Sequence, residues 1–199
     1  MIKIENLKKS YNNYIVFEHL HLDIHDGDLI YIRGINGSGK STLFKIICGI
    51  IEADDGHIFK DEYTHIGALI ENPGFLENDT IRFNLKFLSS LKNNYNEERI
   101  VELCKIFNLD YNNKSKLKHY SLGMRQKTGI IQAIMEDQNV ILLDEPTRGL
   151  DDDSIEAFCH IITQLHEEGK TIIIAAHDYL KQLPFNKHYH LNNGILKEE

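Results

Sequence analysis

The sequence predicts an α/β fold in one domain of 199 residues: a central, mostly parallel sheet, antiparallel strands at the N-terminus, and a helical subdomain inserted at about residues 72–136. Three observations predict it. The strand-like "DLIYIRG" passes through a glycine-rich turn into the helical spacing of "GKSTLFKIICGI". The runs "NVILLD" and "KTIIIAAH" are almost wholly apolar, as strands covered on both faces are. The long stretch between these two regions carries apolar residues at i, i+3 and i+4.

Taken in order, "IKIENL" and "LHLDIH" alternate and read as half-buried strands, and "DLIYIRG" as a buried one. "GHIFKD" and "HIGALIE" read as a short strand pair. "TIRFNLKFLSSLKN", "NEERIVELCKIF" and "LGMRQKTGIIQAIM" follow with helical periodicity. A further helix, through Ile155, Phe158, Ile162 and Leu165, separates the two apolar runs, an alternation typical of parallel sheets. "LNNGIL" near the end reads as a strand turn.

The composition, 42% hydrophobic and 26% charged, is that of a soluble globular domain. No run approaches the roughly 18 apolar residues a membrane-spanning helix needs. "MIKIENLKKSY" lacks the apolar core of a secretory signal, which predicts a cytoplasmic location. Cys48, Cys104 and Cys159 sit on apolar helical faces and are expected to be buried free thiols. A net charge of −8 disfavours a broad grip on nucleic acid. The basic segment Lys114 to His119 reads as a solvated loop, and the 11 histidines lack metal-ligand spacing.

"GINGSGKST" matches GxxxxGK[ST] between a strand and a helix. Backbone N–H groups of Gly34, Asn36, Gly37, Ser38, Gly39 and Thr42 are placed to wrap phosphate oxygens, Lys40 to reach the β/γ-phosphates, and Ser41 to bind Mg²⁺. "VILLDEP" delivers Asp144 and Glu145 at a strand's C-terminal end, where ligands of parallel sheets bind. Asp144 is expected to hold Mg²⁺ and Glu145 to take a proton from an attacking water. These elements predict a P-loop NTPase or a kinase without choosing between them. In "HYSLGMRQK", Gly123 stands just where a helix begins, a position at which bare backbone lets another molecule approach.

"YSLGMRQK", "VILLDEPTRGLD" and "IIIAAHD", in that order behind the P-loop, resemble the ATP-binding cassette (ABC) family over essentially the whole chain. The resemblance implies an ATPase that dimerises head to tail around two MgATP, with an identical or different second cassette, beneath separate integral membrane subunits on the inner face of the cell membrane. It implies that Ser121 and Gly123 contact the γ-phosphate held by the other subunit, that Tyr11 stacks on adenine, that Asp151 belongs to a loop crossing the dimer, and that His177 touches the γ-phosphate. Two departures stand out. The five signature positions, LSGGQ in most members, are Tyr120, Ser121, Leu122, Gly123 and Met124. Glu71 occupies the place of a glutamine that links Mg²⁺ and the attacking water to the membrane partner. Both are similar to cassettes that export, or protect against, antimicrobial peptides. A non-transport cassette acting on nucleic acid or ribosomes is the alternative, although the long coiled-coil insert or second cassette of such proteins is missing. A small-molecule kinase leaves the signature unexplained.

Overall fold

The computed structural model describes residues 1–12, 14–72, 74–91 and 94–199. Lys92 and Asn93, the tail of one predicted helical segment, lie outside the described residues, as does Pro73. Strands β1 (Ile2–Tyr11) and β2 (Tyr14–Ile24) form an antiparallel hairpin, extending past the predicted segments because "YIVF" continues the β-branched and aromatic pattern. Next come β3 (Leu29–Arg33), α1 (Lys40–Ile47), β4 (Asp55–Lys60) and β5 (Ile66–Leu69). Helices α2 (Ile81–Ser90), α3 (Glu97–Ile106) and α4 (Leu122–Ile134) then lead to β6 (Val140–Asp144), α5 (Asp152–Glu167), β7 (Thr171–Ala176), β8 (Lys187–Asn192) and β9 (Ile195–Glu198).

The strands divide into a three-stranded sheet, β2-β1-β4, and a six-stranded sheet, β5-β6-β7-β3-β8-β9, parallel except for the terminal β9. The expected pairing of "GHIFKD" with "HIGALIE" is therefore incorrect. β4 runs antiparallel to β1 and β5 runs parallel to β6, so the two segments enter different sheets.

Alternation along the central strands explains the unbroken apolar runs. Leu29, Tyr31, Ile141, Leu143, Ile172 and Ile174 point into a core shared with α2–α5, whereas Ile30, Ile32, Leu142 and Ile173 point into a second core with α1 and the antiparallel sheet. Both faces are covered, so no polar alternation survives. Among the described residues, four helices begin at side-chain caps. Thr80, Asn96, Ser121 and Asp151 each accept from the backbone N–H three residues on, at 3.3, 3.1, 3.2 and 3.1 Å, a contact worth about 1 kcal/mol. Cys104 and Cys159 are buried free thiols, that of Cys104 pushed up to about 12 by burial. Cys48 departs from expectation: it caps the C-terminus of α1 and is only partly buried. Lys114, Lys116 and Lys118 are exposed around a short turn anchored by buried Leu117.

Candidate functional site

The C-terminal ends of β3, β6 and β7 meet at one edge of the sheet, and two adjoining clefts of about 520 and 360 Å³ open there. Asn36, Ser41, Glu71, Asp144 and Glu145 line both. The loop after β3 and the first turn of α1 wrap the smaller cleft with Gly37, Gly39, Lys40 and Thr42. Gly39 must be glycine: its φ is +106°, and a Cβ would lie 2.8 Å from the Val16 and Phe17 side chains. Lys40 is buried, and its Nζ donates to the Gly34 carbonyl at 2.7 Å while lying 3.5 Å from Glu145 Oε1. Ser38 is buried too, its hydroxyl without a hydrogen-bond partner among the described residues.

Ser41 Oγ donates to Asp144 Oδ2 at 2.5 Å, joining the first turn of α1 to the end of β6. The other oxygen, Oδ1, is buried with no hydrogen-bond partner among the described residues. An orphaned carboxylate oxygen costs energy unless something satisfies it. A carboxylate and a hydroxyl side by side are hard oxygen donors that fit Mg²⁺.

Burial pushes the Asp144 carboxyl above its ordinary value and the neighbouring Glu145 charge adds to this, while the Ser41 hydroxyl and Lys40 oppose it. The folded protein therefore binds this proton more tightly than the unfolded chain does. Stability falls as pH rises from the ordinary aspartate value of 3.8 through the raised one, and above that window the ionised group is a standing cost. Asp144→Asn is expected to raise the melting temperature of the protein in EDTA at neutral pH while reducing Mg²⁺-dependent turnover. A lower melting temperature in EDTA would refute this account of the site.

Glu145 stands one residue beyond the strand with φ +46°, a left-handed conformation that carries strain in a non-glycine residue. It is held from several sides: its N–H donates to the Ala175 carbonyl at 2.8 Å, and Gln126 Nε2 donates to the carbonyls of Glu145 and Pro146, both at 3.0 Å. Its Oε2 accepts from the His177 backbone N–H at 3.3 Å. Gln126 escaped the sequence reading, although a signal existed: it is a glutamine in helical register with the buried Ile130 and Ala133. Asn72, Arg148 and Tyr14 also line the clefts and were missed.

Tyr11 is exposed at the end of β1, 5.4 Å from Lys9 Nζ and facing Tyr14 across the hairpin. Both tyrosines border the phosphate-loop cleft. Glu71 reaches the rim of both clefts from the end of β5, but its carboxylate pairs with Lys45 at 2.7 Å, which offsets negative charge beside a phosphate site.

Ser121, Gly123 and Asp151 line neither cleft. Ser121 and Asp151 cap α4 and α5, and Asp151 also lies 3.8 Å from Lys127 Nζ, its carboxyl held below the usual range first by the Ser154 hydroxyl. The bareness of Gly123 has a cause within the chain: a Cβ there would lie 2.6 Å from the Gly149 carbonyl oxygen, so the start of α4 packs directly on the loop before α5.

Residues 17–148 match the ABC transporter family. The chain belongs to that family. Among cassettes in curated collections it is 33% identical to the lantibiotic transport ATP-binding protein SrtF of Streptococcus pyogenes, over 89% of this chain and 80% of that one. It is 32% identical to the bacitracin transport ATP-binding protein BcrA of Enterococcus faecalis and 34% identical to the uncharacterized ABC transporter ATP-binding protein YdbJ of Bacillus subtilis. In both comparisons the alignment takes in 89% of this chain and 61% of the relative's length. A dimeric structure of a bacterial ABC transporter cassette superposes with a TM-score of 0.89 over 100% of this chain and 98% of that one, at 24% identity, a likeness of fold. The sheet order and the phosphate loop thus belong to an ABC cassette.

Proposed function

We propose that this cassette is the ATP-binding and ATP-hydrolysing subunit of an ABC transporter, closing with a second cassette around two MgATP to drive transport through separate membrane subunits. The observation that carries the reading is the convergence of Lys40, Ser41, Asp144 and Glu145 on one cleft beneath a glycine-bound phosphate loop. The loop's N–H groups and the α1 N-terminus favour a triphosphate, and Lys40, freed from the Gly34 carbonyl, neutralises its terminal charge. Ser41 and Asp144 would hold Mg²⁺, which supplies charge neutralisation at the phosphates when bound. Glu145, fixed by Gln126 and the Ala175 carbonyl, accepts the proton of the attacking water. Tyr11 provides a flat face for adenine, and His177 a polar group near the γ-phosphate. Ser121, Gly123 and Asp151, which line neither cleft of their own chain, are assigned to the site of the second cassette. Glu71 joins the Mg²⁺ and water network through a carboxylate already balanced by Lys45.

ATP drives closure only by the affinity it gains from the second cassette over its affinity for the open monomer, and that difference is its contribution to holding the dimer. Hydrolysis removes that contribution and lets the dimer part. The functions named for SrtF and BcrA support an antimicrobial peptide as cargo. No helix among the described residues is long and apolar enough to cross a membrane. Isolation of the protein from membranes in mild detergent is expected to bring down a polytopic membrane protein. Ribosomal proteins in its place would favour the non-transport alternative.

A further inference from the structure

Strand β3 is aliphatic except for the exposed Arg33 at its end and Tyr31, which is buried in the core beneath the six-stranded sheet. In the parallel pairing of β3 with β7, Tyr31 sits opposite Ile174, and the end of β7 at Ala176 lies two residues further on, about 6.6 Å along the strand. A tyrosine side chain spans that distance. Its hydroxyl meets the Ala176 carbonyl at 3.2 Å and the His177 carbonyl at 3.5 Å. Three rings hold it in this pose: Tyr179 at 5.2 Å, Phe185 at 5.3 Å and His188 at 6.2 Å between centroids. Tyr179 and Phe185 also touch each other, at 5.9 Å, so the segment that follows His177 closes over Tyr31 from both of its ends.

We infer that Tyr31 is a positioning residue for hydrolysis, a hydroxyl anchor that fixes the main chain at Ala176 and His177 so that the His177 N–H meets the Glu145 carboxylate. The inference rests on the ATPase reading for its consequence, though not for its geometry. The His177 peptide is the link. Its N–H donates to Glu145 Oε2 at 3.3 Å, and its carbonyl and the preceding one accept from Tyr31. A phenylalanine would retain the ring contacts and lose both acceptor contacts. Glu145 would then keep its backbone anchors but lose a fixed donor to its carboxylate. The aromatic packing explains why the side chain is large, and the two carbonyls explain why it ends in oxygen.

Tyr31→Phe is the test. Per nucleotide-binding site, kcat is expected to fall about five- to tenfold, the factor that corresponds to one ordinary hydrogen bond, with the KM for ATP within about twofold of the parent. In the nucleotide-free protein, amide exchange at residues 177–180 is expected to accelerate while the central strands keep their protection. Tyr31→Leu, lacking ring and hydroxyl, should lose turnover and global stability together. Unchanged kcat in Tyr31→Phe, or unchanged exchange at His177, would overturn the inference, as would faster exchange spread evenly over the domain. A parent protein with no ATPase activity would sink the proposed function instead, and the exchange measurement would then decide the anchor by itself.

Discussion

Glu145→Gln is expected to bind MgATP at least as tightly as the parent and to turn it over at least about 10²-fold more slowly. The amide has the same shape and keeps the main-chain contacts with Ala175 and Gln126, but it cannot accept a proton from water. Affinity should not suffer, because the substitution removes a negative charge 3.5 Å from Lys40 and leaves that ammonium to the phosphates. With hydrolysis stopped, the closed dimer should persist and appear in sedimentation as an ATP-dependent species of twice the monomer mass. Lys40→Ala is the opposite control, expected to lose nucleotide binding within its own chain. Turnover within threefold of the parent would remove Glu145 from the reaction.

Much of this site is legible in the sequence because local chemistry demands it. A phosphate loop needs glycines and a lysine at fixed spacing, and a strand that delivers Asp144 must be apolar until it reaches the edge of the sheet. The less legible parts depend on what meets across the fold. β4 and β5 are neighbours in sequence with similar alternation, yet only the three-dimensional arrangement decides that one joins β1 and the other β6. Gln126 and Tyr31 look like minor irregularities in an apolar helix face and an apolar strand. Their roles appear only when the carbonyls of Glu145, Pro146, Ala176 and His177 are found against them. Gly123 is instructive in another way. Its small size signals a close approach, and the approaching group is the Gly149 carbonyl of the same chain. That contact couples the start of α4 to the segment leading to Asp151, two regions that the proposed dimer presents together.

The helix-cap role of Ser121 supplies a sharp test of that dimer. Its hydroxyl accepts from the Met124 N–H at 3.2 Å, so a bulky replacement would weaken α4 and confuse folding with association. Aspartate caps as well as serine, so Ser121→Asp should leave stability within about 0.5 kcal/mol. Monomer affinity for ATP should also hold, since Ser121 lines neither cleft of its own chain. What changes in the proposed dimer is the charge offered to the other subunit's triphosphate. Two like charges about 4 Å apart repel by about 4 kcal/mol at an effective dielectric of about 20, a factor of roughly 10³ at each of two sites. Introduced into the Glu145→Gln background, Ser121→Asp is therefore expected to abolish the ATP-dependent dimer, whereas Ser121→Asn, an equally good cap without the charge, should retain most of it. The three proteins can be compared by sedimentation at one ATP concentration. If Ser121→Asp still dimerises like its parent, no phosphate comes near this position, and the serine is a helix cap alone.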